Sequence, residues 1–323
     1  MYTAQGSPQF DAEIAEKGHL WMETERSVME LAYYPGCSLK QSSALYDHQT
    51  RLVFDRLGVQ LKEIEDWNCC GATSAGKTDD FLAMAMPARN LGIAARSGLA
   101  EMVIPCSACY SRTLVAQHYL EAHPNLKDEI NAGVAKPVNG PVKISSILEV
   151  LLSLHDSGTL AGTLAYKPKA LKPVCYYGCM LTRFPFSVPV PDDIENPQGM
   201  ERILEALGIH PIDWNCKTSC CGASAAVTDP AVAYALMAKI LSDALARNAN
   251  CLVTTCPMCQ MNLDAYQDAV CQAHNISERL PVFFITEVVG MAMGLDTKQL
   301  EIEKHFINGT DLFKELEPYE SEQ

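Results

Sequence analysis

Asp66-Trp67-Asn68-Cys69-Cys70-Gly71-Ala72 is the stretch that decides the fold, because it occurs twice. The second copy is interrupted: Asp213-Trp214-Asn215 is followed by the insertion Cys216-Lys217-Thr218-Ser219, and then by Cys220-Cys221-Gly222-Ala223. Two adjacent cysteines before a glycine are a poor way to build an apolar core. They suit a site where two thiolates bind one inorganic centre, because glycine lets the backbone come close.

Other features recur around the two copies. Tyr33-Tyr34-Pro35-Gly36-Cys37 matches Tyr176-Tyr177-Gly178-Cys179, and Leu57-Gly58-Val59 matches Leu207-Gly208-Ile209. The pairs Cys106/Cys109 and Cys256/Cys259 follow their Cys-Cys-Gly motifs at similar distances. The chain is therefore an internal duplication, and the recurring residues are mostly cysteines and glycines.

The composition is that of an ordinary globular protein, with 323 residues, 48% of them hydrophobic and 20% charged. This length suffices for two domains. A net charge of −14 argues against binding to nucleic acid or to an anionic membrane surface, because both need clustered Lys and Arg. The longest apolar run, residues 281–295, is short and contains Glu287, so no transmembrane helix is expected.

The fourteen cysteines indicate metal binding. No charged segment followed by an apolar one opens the chain, so no secretory signal is expected and the predicted location is cytoplasmic. In a reducing compartment, cysteines at this density indicate metal rather than disulfides.

The order of predicted elements indicates an α/β fold. Strands are predicted at residues 31–34, 59–64, 101–104, 173–177, 209–212, 250–254 and 281–285. Helices are predicted at 45–57, 79–96, 144–154, 198–207 and 286–293, and three more begin near 110, begin at 229, and follow Cys259 through 271. The helix at 79–96 is expected to kink or break at Pro87. In the helix that begins at 229, Val232, Leu236 and Ile240 lie on one face. Because strands alternate with helices, we expect two similar Rossmann-like halves with mainly parallel sheets, each carrying one Cys-Cys-Gly motif. Each cysteine group follows a strand, so distant cysteines are expected to meet where the strands end.

The predicted domain limits follow the duplication. An N-terminal extension covers residues 1–30, the first half 31–155, the second half 172–296, and an acidic, loose C-terminal tail 297–323. The extension is either a frayed terminus or an arm that docks on a partner. The proline-rich loop at 184–197 is an insertion that has no counterpart in the first half.

Each half offers five cysteines as candidate ligands. They are Cys37, Cys69, Cys70, Cys106 and Cys109 in the first half, and Cys179, Cys220, Cys221, Cys256 and Cys259 in the second. A zinc site or a cubane cluster needs four ligands, so five soft donors favour an iron–sulfur centre of unusual shape, with a zinc scaffold as the alternative. Cys175, Cys251 and Cys271 are expected to be buried apolar residues. Cys216, inside the insertion, could add or replace a ligand.

The residues that surround these cysteines resemble a known family. The segments Trp67–Thr73, Tyr177-Gly178-Cys179 and Cys256–Asp264 resemble the cysteine-rich CCG-domain proteins, in particular the B subunit of heterodisulfide reductase. The resemblance covers residues 31–294, so that each half corresponds to one CCG domain. The insertion at 216–219, the loop at 184–197 and the N-terminal extension depart from the family pattern.

The resemblance implies two noncubane 4Fe–4S clusters, one in each half, bound by the ten cysteines. It implies a catalytic oxidoreductase component that receives electrons from an iron–sulfur C subunit, itself fed by a flavin-containing A subunit, and that reduces or forms a mixed disulfide. The alternative is an electron-transfer component of another soluble or quinone-linked complex, with no disulfide chemistry of its own.

A pair of iron–sulfur clusters suits the reduction of a disulfide. The disulfide takes two electrons, and each cluster usually gives one at a time. The sequence shows no Ser/His/Asp arrangement that would support hydrolytic chemistry. Lys77 and Arg183 lie near the cysteine loops, where they either bind an anionic substrate tail or are simply solvated.

Overall fold

A computed structural model of the chain describes residues 28–72, 74–185, 188–189 and 192–319. The predicted N-terminal extension therefore lies almost wholly outside the described residues, and its two interpretations stay predictions.

The first half is a parallel sheet with helices packed against it. Its elements in chain order are β1 (Met29–Tyr33), α1 (Gly36–Leu39), α2 (Ala44–Arg56), β2 (Val59–Glu63), α3 (Ala75–Thr78), α4 (Asp80–Arg96), β3 (Glu101–Ile104), α5 (Ser107–Ala122), α6 (Pro124–Gly133), β4 (Lys143–Ser146) and α7 (Ile147–Asp156). The strand order is β2-β1-β3-β4, and all three pairings are parallel. The first three predicted strands and the helices at 45–57 and 79–96 are confirmed to within two residues.

The helix predicted over residues 144–154 is wrong in its first turn. Residues 143–146 form the edge strand β4, and the helix begins only at Ile147. The Ser146 hydroxyl accepts a hydrogen bond from the amide of Glu149 at 3.2 Å, and the Glu149 carboxylate accepts one from the amide of Ser146 at 2.7 Å. This capping box fixes the start of the helix and allows Ile144 to pair with Met102 of β3.

The second half repeats the plan with one strand fewer. Its elements, after β5 (Tyr166–Pro168) between the halves, are β6 (Pro173–Tyr176), α8 (Gly199–Ala206), α9 (Pro230–Ala246), β7 (Cys251–Thr254), α10 (Pro257–Ala265), α11 (Gln267–His274), β8 (Val282–Phe284) and α12 (Ile285–Ala292). The order is β6-β7-β8, again parallel. These strands and helices confirm the predicted ones, except for the strand at 209–212.

The insertion explains why no strand forms at 209–212. Ile212 keeps one backbone hydrogen bond, to the carbonyl of Pro173 at 2.8 Å. The carbonyl of Lys217 then accepts from the amides of Tyr177 and Gly178, at 2.9 and 3.1 Å. In the first half the chain beside β1 continues in register instead, and Ile64 donates to Tyr33 at 3.0 Å. The insertion therefore takes the place of the missing edge strand.

Two predicted helices differ in detail. Pro87 lies inside α4 without ending it, and the helix is continuous from Asp80 to Arg96. In α9, Val232 is 49% exposed, so the predicted apolar face is wrong at its first position. The buried face of α9 is formed by Ala233, Met237, Ile240, Leu241 and Ala244 among others.

The C-terminal tail is packed as far as residue 319, so the prediction that it is loose is wrong there. Strand β9 (Leu316–Pro318) pairs antiparallel with β5 in the segment between the halves. Phe313 is buried and meets the ring of Phe283 edge-on, with 4.9 Å between ring centroids. A few apolar anchors therefore hold an otherwise acidic segment in place.

The two halves share a core. One continuous cluster of buried residues contains Leu31 and Val103 of the first sheet together with Val253 and Phe283 of the second. At the contact, the ring of Tyr46 in α2 stacks on that of Phe284 with 3.9 Å between centroids. The Tyr46 hydroxyl donates to the carbonyl of Thr255 at 3.0 Å. Helix α2 of the first half is therefore held against the ends of β7 and β8 of the second.

A buried polar network ties the tail to both halves. The Glu287 carboxylate is fully buried, accepts from Gln49 Nε2 and from the amide of Phe284, both at 2.7 Å, and lies 2.8 Å from His305 Nε2. Burial lowers the pKa of His305, but the charge and hydrogen bond of Glu287, with smaller contributions from Asp264 and the backbone of Val282, together raise it to about 9. His305 is therefore a buried cation at neutral pH.

We expect this pair to make stability depend on pH. The folded pKa of His305, about 9, lies above the ordinary value of 6.5, so its contribution is complete below pH 6.5 and is lost as the pH rises through 9. The loss should be on the order of 3 kcal/mol. Urea unfolding of the wild type under argon should show it, and His305→Gln should flatten the curve in this window. An equal slope in both proteins would contradict the assignment.

Candidate metal centre

The first cysteine set converges where the strands of the first sheet end. Cys37 lies in α1, the adjacent pair in the loop after β2, Cys106 caps α5, and Cys109 is in its first turn. The thiols of Cys70 and Cys109 are hydrogen-bonding neighbours, as are those of Cys69 and Cys70 and those of Cys106 and Cys109. The structure thus brings four of the five predicted residues into one chain of contacts. Cys37 is exposed, and it lies close enough to Cys69 for its charge to raise the pKa of Cys69.

The second set repeats this arrangement. The Sγ atoms of Cys221 and Cys259 are 3.6 Å apart. Cys179 is a hydrogen-bonding neighbour of Cys220, and Cys256 of Cys259. Cys220 is exposed and Cys179 half-buried, whereas the other three are buried. Each half therefore gathers its five thiols, with one edge of each group open to solvent.

Glycine is required where these loops approach the sulfurs. Gly36 and Gly178 have φ of +74° and +68°, in the left-handed region. A Cβ atom at Gly36 would lie 2.8 Å from the Sγ of Cys109, and one at Gly178 would lie 2.9 Å from the Sγ of Cys259. No other residue combines this backbone conformation with this closeness.

Two tyrosines hold the Cys-Cys-Gly loops, and their role was not predicted. The Tyr34 hydroxyl donates to the carbonyl of Asn68 at 2.8 Å, and the Tyr176 hydroxyl donates to that of Ser219 at 2.6 Å. Each acceptor immediately precedes an adjacent cysteine pair. The signal in the sequence is that each tyrosine stands three residues before the first cysteine of its half.

The position three residues after each Cys-x-x-Cys pair differs between the halves. Asn262 Nδ2 donates to the carbonyl of Cys221 at 3.2 Å and lies 3.9 Å from its Sγ. The first half has Arg112 at this position. Hydrogen bonds from Cys109 and Cys69, and then the charge of Arg112, lower the pKa of Cys70 to about 3. The first set thus has a cation beside it where the second has an amide.

Hydrogen bonds between neighbouring thiols also shift the pKa values of other cysteines in the two sets. Hydrogen bonding to Cys179 lowers the pKa of Cys220 to about 6, and hydrogen bonding to Cys259 lowers that of Cys256 to about 7. The donor partners Cys109, Cys179 and Cys259 have raised pKa values, because hydrogen bonding and burial favour the neutral thiol. All five thiols of a set can become thiolates together only when positive charge enters the group.

Four cysteines lie outside the two sets. Cys175 and Cys251 are fully buried in β6 and β7, and Cys271 lies in α11 with its Sγ 3.6 Å from the carbonyl of Glu278. Cys216 is buried with Trp214 in a further cluster of buried residues that belongs to the second half. Burial raises its pKa, and the side chains that modify this shift are Ser219, Asp243, Lys239 and Arg247. The same buried cluster also contains Cys221, Cys256 and Cys259 of the second set, so whether Cys216 adds or replaces a ligand stays a prediction.

The donor set fits iron and sulfide. Among the residues that the structure describes, no three His, Cys, Asp or Glu side chains are grouped as a site for a single metal ion. An iron–sulfur cluster contains several irons bridged by sulfides, so its ligands surround a larger body. Thiolates are the ligands that such clusters use, and the chain offers five on each side.

The two sets come near one another at Tyr46. This residue is fully buried, and its pKa is raised first by burial and then by the charges of Cys256 and Cys106. One cysteine from each half thus lies near the same phenol ring.

Residues 31–112 and 174–264 match the family described as CCG, the cysteine-rich domain. The chain belongs to this family. The predicted family and the predicted fold of two parallel-sheet halves are thereby confirmed. None of the helices in the described part of this CCG protein is both long and apolar enough to cross a membrane.

Relatives of this CCG protein are components of reductases. It is 31% identical over 286 residues to the 8-methylmenaquinol:fumarate reductase membrane anchor subunit of Wolinella succinogenes, covering 88% of this chain and 99% of the relative. It is 26% identical over 295 residues to the B subunit of the ferredoxin/F420H2-dependent CoB-CoM heterodisulfide reductase of Methanosarcina acetivorans, covering 89% and 97%.

A solved structure shares the fold. A hypothetical protein from Helicobacter pylori superposes with a TM-score of 0.70 at 13% identity, covering 94% of this chain and 58% of that one. At this identity the likeness concerns the fold alone.

Replacing Gly36 by Ala should lower the unfolding free energy by more than the backbone strain alone would. The matched control is Gly58→Ala, because Gly58 also has φ of +74° but has nothing within 4 Å of the added Cβ. The control should lose about 1 kcal/mol of unfolding free energy, and Gly36→Ala at least about 1 kcal/mol more. Urea unfolding under argon measures both. Equal losses would show that the loop can move away from Cys109 freely.

Proposed function

We propose that this protein is the iron–sulfur catalytic component of a heterodisulfide reductase-type complex, and that its ten convergent cysteines bind two noncubane 4Fe–4S clusters. The observation that carries the proposal is the gathering of five thiols in each half, with Cys106 of one set and Cys256 of the other both near Tyr46, whose hydroxyl donates to the carbonyl of Thr255 at 3.0 Å. If the two metal sites acted independently, the strand ends that carry their ligands would not need to lie close together. The relatives that belong to reductases support the same class of function.

When bound, two such clusters supply two one-electron transfers, which matches the two electrons and two protons that convert a mixed disulfide into two thiols. The electrons would come from an iron–sulfur C subunit, which is fed in turn by a flavin-containing A subunit. The proposed location is the cytoplasm.

The chain's own residues would hold and shield these centres. Cys70, Cys106 and Cys109 are buried, as are Cys221, Cys256 and Cys259, so water is kept from most of each thiol group. Helices α5 and α10 begin beside Cys106 and Cys256, and the free amides of their first turns favour negative charge there. The exposed Cys37 and Cys220 mark the open edges where a substrate or a partner could approach.

A second candidate is an electron-transfer component of a quinone-linked reductase. It is favoured by the relative at 31% identity, which belongs to 8-methylmenaquinol:fumarate reductase and is covered over 99% of its length. In that case the same two centres would pass electrons from a quinol to a reductase partner, without disulfide chemistry.

The two functions can be separated with protein purified anaerobically together with its native partners. Under the first proposal, addition of reduced methyl viologen and a mixed disulfide should produce free thiols in proportion to the viologen oxidised. Under the second, thiol production should stay at the background rate, while a separate assay with fumarate as electron acceptor should show oxidation of a soluble menaquinol analogue by the complex. Background rates in both assays would contradict both proposals.

Metal analysis tests the ligand assignment directly. We expect about eight iron and eight acid-labile sulfide per chain, as two 4Fe–4S clusters contain. Cys69→Ser should lower the iron content to about half, because one centre loses a ligand. Cys271→Ser is the matched control and should leave it unchanged, since that residue lies in α11 outside both sets. Zinc in colourless protein would instead support a structural scaffold.

Arg112 and Asn262 should set the two centres at different reduction potentials. A cation stabilises the more negative, reduced state, so Arg112→Asn should lower the potential of the first centre, on the order of 50 mV at an effective dielectric near 20. The reciprocal variant, Asn262→Arg, should raise that of the second. Anaerobic redox titration followed by EPR measures both, and unchanged potentials in both variants would exclude this electrostatic role.

A further inference from the structure

A cavity of about 540 Å³ opens beside the first cysteine set. Ala72, which follows the Cys-Cys-Gly motif, lines its inner end. The walls come from α3, the first turns of α4, the outer face of α5 and the start of α6. None of the ten cysteines lines the cavity, so it is separate from the region between the two sets.

The walls are largely apolar and partly open to solvent. Phe81, Met84, Tyr119 and Leu126 line the cavity, and Phe81 and Tyr119 are 37% and 43% exposed. The Tyr119 ring stacks on His123 with 4.0 Å between centroids, which fixes that wall. Large apolar side chains exposed at a concave surface mark a binding site more often than a solvated face.

Two cations line the same cavity. Lys77 and Arg112 face it, together with one carboxylate, that of Asp80. Within the described part of the chain, neither cation forms an ion pair. The Arg112 Nε is buried and, among the described residues, has no hydrogen-bond partner. Both side chains therefore remain available to an anion bound in the cavity.

We propose that this cavity binds a small amphiphilic anion, with a carboxylate or phosphate head on Arg112 and Lys77 and an apolar body against Phe81, Met84 and Leu126. Its volume lies within the range of small-molecule sites. The second half has no equivalent cationic position, because Asn262 replaces Arg112 and is engaged with Cys221. The site belongs to the first half alone.

Arg112 links this site to the first cysteine set. It lies in α5, three residues after Cys109, and also lines the cavity, so a bound anion would partly neutralise a positive charge near the first set. A consequence that rests on the proposed function is that the ligand lowers the reduction potential of the first centre and leaves the second unchanged.

The binding test uses the full chain purified under argon and isothermal titration calorimetry. The probes are octanoate, 1-octanol and inorganic phosphate, which present both features, the apolar body alone and the anion alone. Octanoate should bind at least about tenfold more tightly than either other probe, because only it satisfies both cations and apolar walls. Equal affinity for 1-octanol, or no binding of octanoate, would overturn the proposal.

Variants of the two cationic residues test whether the anionic head binds to them. Lys77→Gln, in the short helix α3, and Arg112→Gln should each weaken octanoate binding by about fivefold or more. Arg183→Gln is the control, because Arg183 lies beside Cys220 of the second set and not in the cavity. An equal loss in the control would show that octanoate responds only to net charge.

Redox titration with octanoate then tests the link to the cluster. A downward shift of one centre, absent in Arg112→Gln, is expected, and no shift despite binding would remove the link. Protein that contains no iron would refute the proposed function, whereas calorimetry would still decide whether the cavity binds the anion.

Discussion

The crowding of thiols is the constraint on which the rest of the structure depends. Five sulfurs in each half lie within hydrogen-bonding or charge range of one another, and most are buried. As thiols they can share protons, but as thiolates they repel each other in a region of low dielectric. Such a group is stable in its anionic form only around a multivalent cation or cluster. The surrounding backbone must therefore bring the sulfurs close without closing the space between them.

The parallel sheets satisfy this constraint through where their strands end. β1, β2 and β3 deliver cysteines from three distant segments to one edge, as β6 and β7 do in the second half. Left-handed glycines then let the backbone pass within contact distance of sulfur, and Tyr34 and Tyr176 tie each Cys-Cys-Gly loop to the sheet below it. Packing the two sheets against each other brings Cys106 of the first set and Cys256 of the second near the same tyrosine, Tyr46.

The halves are equivalent in plan but not in detail. The insertion at 216–219 replaces an edge strand in the second half, and its Lys217 is buried against Glu201 at 2.8 Å. The first half instead keeps a complete sheet, a cation at Arg112 and the adjacent cavity. The two thiol sets therefore offer different electrostatic surroundings to whatever they bind.

The sequence by itself determined the duplication, the α/β class, most strands and helices, and the two groups of five cysteines. Those features are local, since they depend on periodicity, on motif spacing and on residues that only certain backbones accept. It misassigned residues 209–212, because whether an apolar stretch forms a strand depends on the partner available, and beside the end of β6 the Lys217 carbonyl accepts the hydrogen bonds of Tyr177 and Gly178 instead.

Only the tertiary structure decided which groups meet. The placement of Tyr46 between the two sets, the burial of Cys216 beside Trp214, and the joining of Gln49, Glu287 and His305 all bring together residues far apart in the chain. No local pattern encodes such meetings, because they follow from how the two sheets and the C-terminal segment pack.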